Sequence, residues 1–182
     1  MIDLFEEPEF IRELLDFCLE QAILFAQAQI NAGADVIGVG DAIASVAGPN
    51  AYRELAGAYE QKLLSAIQKM GAKTKLHICG NTEPFLDQLP IGEIDILDVD
   101  WMVPLEKAVG LYGDKAAVSG NYDPVSVLLQ GTPESVKQAV SACAETGSIG
   151  RYITSAGCEV PKFTPPENLL AVRDCVLELT KN

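Results

Sequence analysis

Apolar residues along this chain switch repeatedly between two spacings, and each switch marks a change of element. From Pro8 to Asn31 they recur at Ile11, Leu14, Cys18, Ala22 and Phe25, three or four apart, until Gly33 stops the run. That spacing predicts a long amphipathic helix. The compact apolar run 34–41 predicts a strand with the carboxylate of Asp41 at its end. Leu55, Tyr59, Leu63 and Ile67 then predict a helix from about Tyr52 to Met70, closed by Gly71. A second strand is expected over 75–79, through Leu76, His77, Ile78 and Cys79.

The alternation continues to the end of the chain. Thr82 to Leu89 reads as a short helical piece, and 94–100 as a strand whose alternation places Asp98 and Asp100 on one face with Ile96. Pro104 to Leu111 reads as a further short helix. A strand at 116–120 runs into a turn-rich exit, where Asn121 and Asp123 read as capping residues. Thr132 as cap and Pro133 at the first helical position open a helix through Val136, Val140 and Cys143. The last strand is expected at 151–155. Thr164-Pro165-Pro166-Glu167 opens the last helix in the same way, with Leu169, Val172, Val176 and Leu179 as its stripe.

Strict alternation with no Asn-Gly hairpin signal predicts a parallel sheet of about five strand-helix units. The expected class is α/β, the C-terminal portion of a (β/α)8 TIM barrel. A full barrel takes about 250 residues, and this chain has 182. The expectation is a single domain over 1–182 without the N-terminal strands, or a homo-oligomer in which a second copy completes the sheet. An open doubly wound sheet is the rival architecture. No GxGxxG or Walker motif is present to support nucleotide binding in it.

Composition narrows the partners. A formal charge of −13 and a hydrophobic fraction of 48% fit a globular chain and argue against nucleic acid or an anionic membrane as partner. No stretch approaches the ~20 apolar residues of a membrane span, and Asp3, Glu6 and Glu7 are the opposite of a basic signal-peptide start. The expected location is cytoplasmic. Five cysteines without framework spacing fit a reducing compartment. Cys18, Cys143 and Cys175 fall in helix-period patterns, where a thiol behaves as a small apolar residue.

The other two cysteines carry the candidate chemistry. His77, the sole histidine, and Cys79 are two apart on a predicted strand, so they face the same way. Cys158 follows another predicted strand in a glycine-flanked turn. His77, Cys79 and Cys158 make a Cys2His set. No CxxC pair exists, so this is not zinc-finger spacing. Three ligands with a fourth position open is the arrangement of catalytic zinc. Asp41, Asp98 and Asp100 gather at other strand ends, with helix capping or an Asx-turn as their plainer reading.

These pieces occur in order: Gly33-Ala34-Asp35, Asp41, Leu76 to Asn81, Asp98-Val99-Asp100, Gly120 to Pro124, Gly131 to Glu134, Gly157 to Pro161 and Thr164 to Asn168. Across nearly its whole length the chain resembles the uroporphyrinogen decarboxylase superfamily. Within it, the chain is most similar to the zinc-dependent methylcobamide:coenzyme M methyltransferases. The resemblance implies a (β/α)8 barrel with zinc on His77, Cys79 and Cys158. It further implies a methylated corrinoid, as a corrinoid protein or free methylcobamide such as methylcobalamin, as methyl donor, and a small thiol such as coenzyme M as acceptor. Asp41, Asp98 and Asp100 are then expected to orient the site or fill the fourth position. A metal-free decarboxylase of porphyrin biosynthesis and an inactive barrel fragment are the alternatives. The former calls for arginines, of which the chain has Arg12, Arg53, Arg151 and Arg173.

Overall fold

The computed structural model describes residues 2–181. A short helix α1 (Asp3–Glu6) leads into α2 (Pro8–Asn31). Five strands follow, β1 (Val36–Asp41), β2 (Lys73–Ile78), β3 (Ile96–Val99), β4 (Ala117–Tyr122) and β5 (Tyr152–Ala156). Helices α3 (Ala44–Ala51) and α4 (Gly57–Lys69) lie between β1 and β2, and α5 (Leu105–Tyr112) between β3 and β4. Helix α6 (Pro133–Gly147) precedes β5, and α7 (Pro166–Leu179) follows it. The strands lie side by side in chain order and are all parallel, the partial TIM-barrel-like α/β fold expected from the alternation.

One face of the sheet makes the core. Leu76, Ile78, Leu97, Val99 and Val118 are buried with Tyr52, Leu64, Phe85, Leu86, Ala108 and Val109 from the connecting segments. Ile37 joins Ala26 and Ile67 under α2 and α4, and Val136 and Val140 join Ala171 and Cys175 at the other edge. The alternate positions, among them Gly38, Gly40, Lys75, His77 and Asp98, are exposed or half-buried on the opposite face. In β2 and β3, period two therefore sends the apolar half of the strand to the helices and the chemistry-bearing half to the open side.

The boundaries moved in instructive ways. Strand β2 begins two residues earlier than expected and stops at Ile78, so Cys79 lies just beyond it, and β3 stops before Asp100. Helical structure begins at Ala44 rather than near Tyr52. Gly48, at φ 85°, interrupts α3 beside Pro49, and a Gly-Pro pair is a break signal in sequence. Thr132 caps α6 through a reciprocal bond pair with Ser135, as its spacing predicted. Thr164 does not cap α7: Pro165 holds the cap position and the Thr164 hydroxyl is buried without a partner.

Two apolar stripes are displaced. In α2 the buried residue is Ala26, and Leu15, Leu19 and Ala22 line the groove toward β1 and α4. Leu14, Cys18 and Phe25 are exposed, together with Phe10, Phe17 and Leu24. The helix is apolar on two sides, so periodicity alone could not select which side packs. Cys18 is accordingly not the buried small residue expected of it, whereas Cys175 is. In α7 the buried positions are Asn168, Ala171 and Cys175, while Leu169 and Leu179 face out. Among the described residues no helix is long and apolar enough to cross a membrane.

Candidate metal centre

The strand ends bring His77, Cys79 and Cys158 together. His77 sits in β2 opposite Gly40 of β1 and Asp98 of β3. Cys79 is held on both sides of its peptide: its N–H donates to the Asp41 carbonyl at 2.9 Å, and its own carbonyl accepts from Ser45 Oγ at 2.5 Å. Cys158 arrives two residues after β5, behind Gly157. A Cβ at Gly157 would stand 2.3 Å from the Trp101 backbone nitrogen, so only glycine lets the two loops touch.

The Cys79 and Cys158 sulfurs are 3.8 Å apart, and Cys79 Sγ lies 3.3 Å from His77 Nε2. All three donor atoms fall within 4.8 Å of one another. Two sulfurs bonded to one zinc at about 2.3 Å and a tetrahedral angle stand roughly 3.8 Å apart. The donor set thus fits a tetrahedral ion with a position left for a further ligand. It is far too open for a disulfide, whose sulfurs lie about 2.05 Å apart.

Groups behind the donors fix their orientation. His77 Nδ1 lies 3.1 Å from the Asp98 carbonyl oxygen. A carbonyl only accepts, so Nδ1 carries the proton and Nε2 turns its lone pair toward the sulfurs. The Asp98 carboxylate lies 3.5 Å from His77 Nδ1 and pairs with Lys75 Nζ at 2.9 Å. Lys75 was not singled out from the sequence, although it precedes His77 by two residues and shares its face of the strand.

The other two aspartates hold turns. Asp100 is 3% exposed, and its two carboxylate oxygens accept from the backbone N–H groups of Gly80 and Met102 at 2.8 and 2.9 Å. Asp41 Oδ1 accepts from the N–H groups of Ile43 and Ala44, each at 2.8 Å. Asp123 likewise accepts from Val125 N–H, the capping role expected of it. Asn121 instead ties β4 to the loop after β3, its amide donating to the Asp100 and Val103 carbonyls.

Burial, and after it the neighbouring Cys158 and the carboxylates of Asp100 and Asp41, push the Cys79 thiol above its ordinary range. A nucleophilic cysteine needs the opposite shift. A thiol held in the protonated form until a cation draws it into the thiolate form suits a metal site.

Known proteins resemble this chain over most of its length. The family profile described as uroporphyrinogen decarboxylase (URO-D) matches residues 1–179. A methylcobamide:CoM methyltransferase, MtbA, of Methanosarcina mazei is 35% identical over 175 residues, 95% of this chain and 50% of its own length. A uroporphyrinogen decarboxylase of a Synechococcus species is 30% identical over 166 residues, 90% of this chain and 46% of its own length. A solved methyltransferase structure from Methanosarcina mazei superposes with a TM-score of 0.88 at 28% identity, over 99% of this chain and 52% of that one. The chain therefore spans about half the length of the relatives it matches. The family match over almost all of its residues settles one point: the chain belongs to the uroporphyrinogen decarboxylase family.

Proposed function

We propose that this chain carries the metal-binding strand ends of a zinc-dependent methyltransferase that moves a methyl group from a methylated corrinoid to a small thiol such as coenzyme M. The reading rests on the converged Cys2His set, with its sulfurs 3.8 Å apart and an imidazole nitrogen at 3.3 Å. His77, Cys79 and Cys158 would hold the ion, and zinc bound there would supply the Lewis acidity that keeps a thiol in its thiolate form at neutral pH.

The chain's own residues prepare that event. Two cysteine thiolates and a neutral imidazole balance a divalent charge, so the incoming sulfur keeps its electron density. The Asp98 carbonyl fixes the tautomer of His77, while Asp41 and Asp100 anchor the turns on either side of Cys79. The thiolate sulfur then forms its bond to the methyl carbon as the cobalt–carbon bond breaks, and that electron pair leaves with cobalt. A corrinoid protein or free methylcobamide is the donor. We further propose that other strand-helix units, or a second copy, complete the barrel around these five strands.

A porphyrinogen decarboxylase reading draws on the similarity to proteins of that name. Of the four arginines, Arg53, Arg151 and Arg173 bond to Asn50, Asp114 and Asp174, away from the Cys2His set. The converged Cys2His set, which a metal-free decarboxylase would not need, favours the methyltransferase reading. Elemental analysis separates the readings: purified protein should hold about one zinc per chain, and Cys158→Ser should release it. Absence of zinc from protein supplied with the metal, or unchanged affinity in Cys158→Ser, would overturn the proposal.

A further inference from the structure

Behind the metal-binding loop lies a buried acid that none of the roles above uses. Glu60 of α4 is 6% exposed. Its Oε2 accepts a 2.6 Å hydrogen bond from the hydroxyl of Tyr52. Tyr52, 1% exposed and stacked on Phe85 with ring centroids 4.5 Å apart, is itself fixed. Glu60 Oε1 is equally buried and meets no donor. The group it meets is the carboxylate of Asp41, its hydrogen-bonding and electrostatic neighbour.

Two ionised carboxylates only accept and cannot bond to each other. A proton on Glu60 turns the orphaned oxygen into a donor with an acceptor within reach, and it removes the repulsion between two like charges. The surroundings favour that state. Cys18 from α2, Asp41 from β1 and Tyr59 of α4 are the other titratable groups lining the groove beside Glu60, and Tyr52 closes the far side. Among the described residues neither Asp41 nor Glu60 is in an ion pair with a lysine or arginine. Burial, opposed by the Tyr52 bond and reinforced by Asp41, raises the Glu60 carboxyl to about 8.

We propose that Glu60 is a positioning residue for the metal-binding loop: as a neutral carboxylic acid locked by Tyr52, it donates its proton to Asp41 and fixes the residue whose backbone carbonyl holds Cys79. Asp41 links the two groups directly, because its carboxylate meets Glu60 while its carbonyl accepts the Cys79 N–H. Its other carboxylate bonds start α3, whose Ser45 clasps the Cys79 carbonyl. One shared proton thus governs both restraints on Cys79. The relevance to catalysis, though not the proton sharing itself, rests on the methyltransferase reading above.

Infrared spectroscopy of the metal-free full chain, with glutamate and aspartate carrying distinct 13C labels, tests the proton directly. At pH 7 a protonated carboxyl band should move with the glutamate label, fade as pH rises through about 8, and be absent from Glu60→Gln. With zinc, methylcobalamin and coenzyme M, Glu60→Leu should lower kcat/KM roughly tenfold, the effect of losing one charge-assisted hydrogen bond. Glu60→Gln, which keeps a donor toward Asp41, should retain more activity than Glu60→Leu and should lose the wild-type activity change near pH 8. No glutamate carboxyl band at pH 7, or a Glu60→Gln pH profile matching wild type, would overturn the proposal. Failure to bind zinc would instead overturn the methyltransferase reading and leave the infrared result standing.

Discussion

Cys79 and Cys158 are 79 residues apart in sequence, and their sulfurs stand 3.8 Å apart. They follow β2 and β5, with β3 and β4 between them. In a flat sheet three strand spacings would separate those strands by about 14 Å. The loops after β2 and β5 therefore converge over the open face, as the curl of a barrel requires. Mild oxidation of metal-free protein should join the two cysteines, read as the loss of two hydrogens by mass spectrometry, and bound zinc should protect them. Oxidation that leaves this pair reduced while modifying Cys18 would count against their proximity in solution.

His77 points the way it does because of β3. Removing the Asp98 carboxylate leaves the backbone carbonyl that holds Nδ1 but frees Lys75. Asp98→Ala should weaken zinc binding by roughly tenfold, the lower end of what outer contacts to a metal ligand contribute. Competition with a chromophoric chelator measures this. Unchanged affinity would reduce Asp98 to a partner of Lys75.

Glu60 should be visible in the pH dependence of stability. Its carboxyl rises from 4.5 to about 8 on folding, so between those values the folded chain holds a proton that the unfolded chain has lost. Its contribution is full below pH 4.5 and falls as pH rises toward 8, by at most roughly 1.4 kcal/mol per pH unit. Urea unfolding from pH 4 to 9 should show wild type losing stability relative to Glu60→Gln across that window. A constant difference would mean that Glu60 is ionised in the fold.

Helix α2 presents Phe10, Leu14, Phe17, Leu24 and Phe25 to solvent at 44–67% exposure. An apolar surface of that kind marks an interaction face. The isolated chain should self-associate, and replacing Phe17 and Leu24 with glutamate should shift sedimentation equilibrium toward monomer. A wild-type chain that stays monomeric at high concentration would rule out a second copy as the cover.

The parallel sheet and the His77–Cys79 pair were legible because each rests on local periodicity, period two on the strands and three to four on the helices, while Cys158 was found by its place in a glycine-flanked turn where another strand ends. The packed side of α2 was not, since both of its sides are apolar and tertiary contact made the choice. The aspartates were ambiguous for a related reason. Carboxylates at strand ends look alike in sequence, and only the positions of nearby N–H groups separate Asp100, with both oxygens committed to backbone, from Asp98, which lies against His77. Glu60 gave no signal, because a glutamate within an amphipathic helix reads as solvent-facing until its neighbours are placed.

The contact of Gly157 with Trp101 reaches beyond packing. Trp101 is the sole tryptophan of the chain and is 44% exposed, and its backbone abuts the residue before Cys158. The indole is thereby carried on backbone that touches the loop holding one of the three donors. The protein carries its own optical gauge: a shift in tryptophan emission on adding zinc, thiol or corrinoid would report movement of the Cys158 loop without any introduced label.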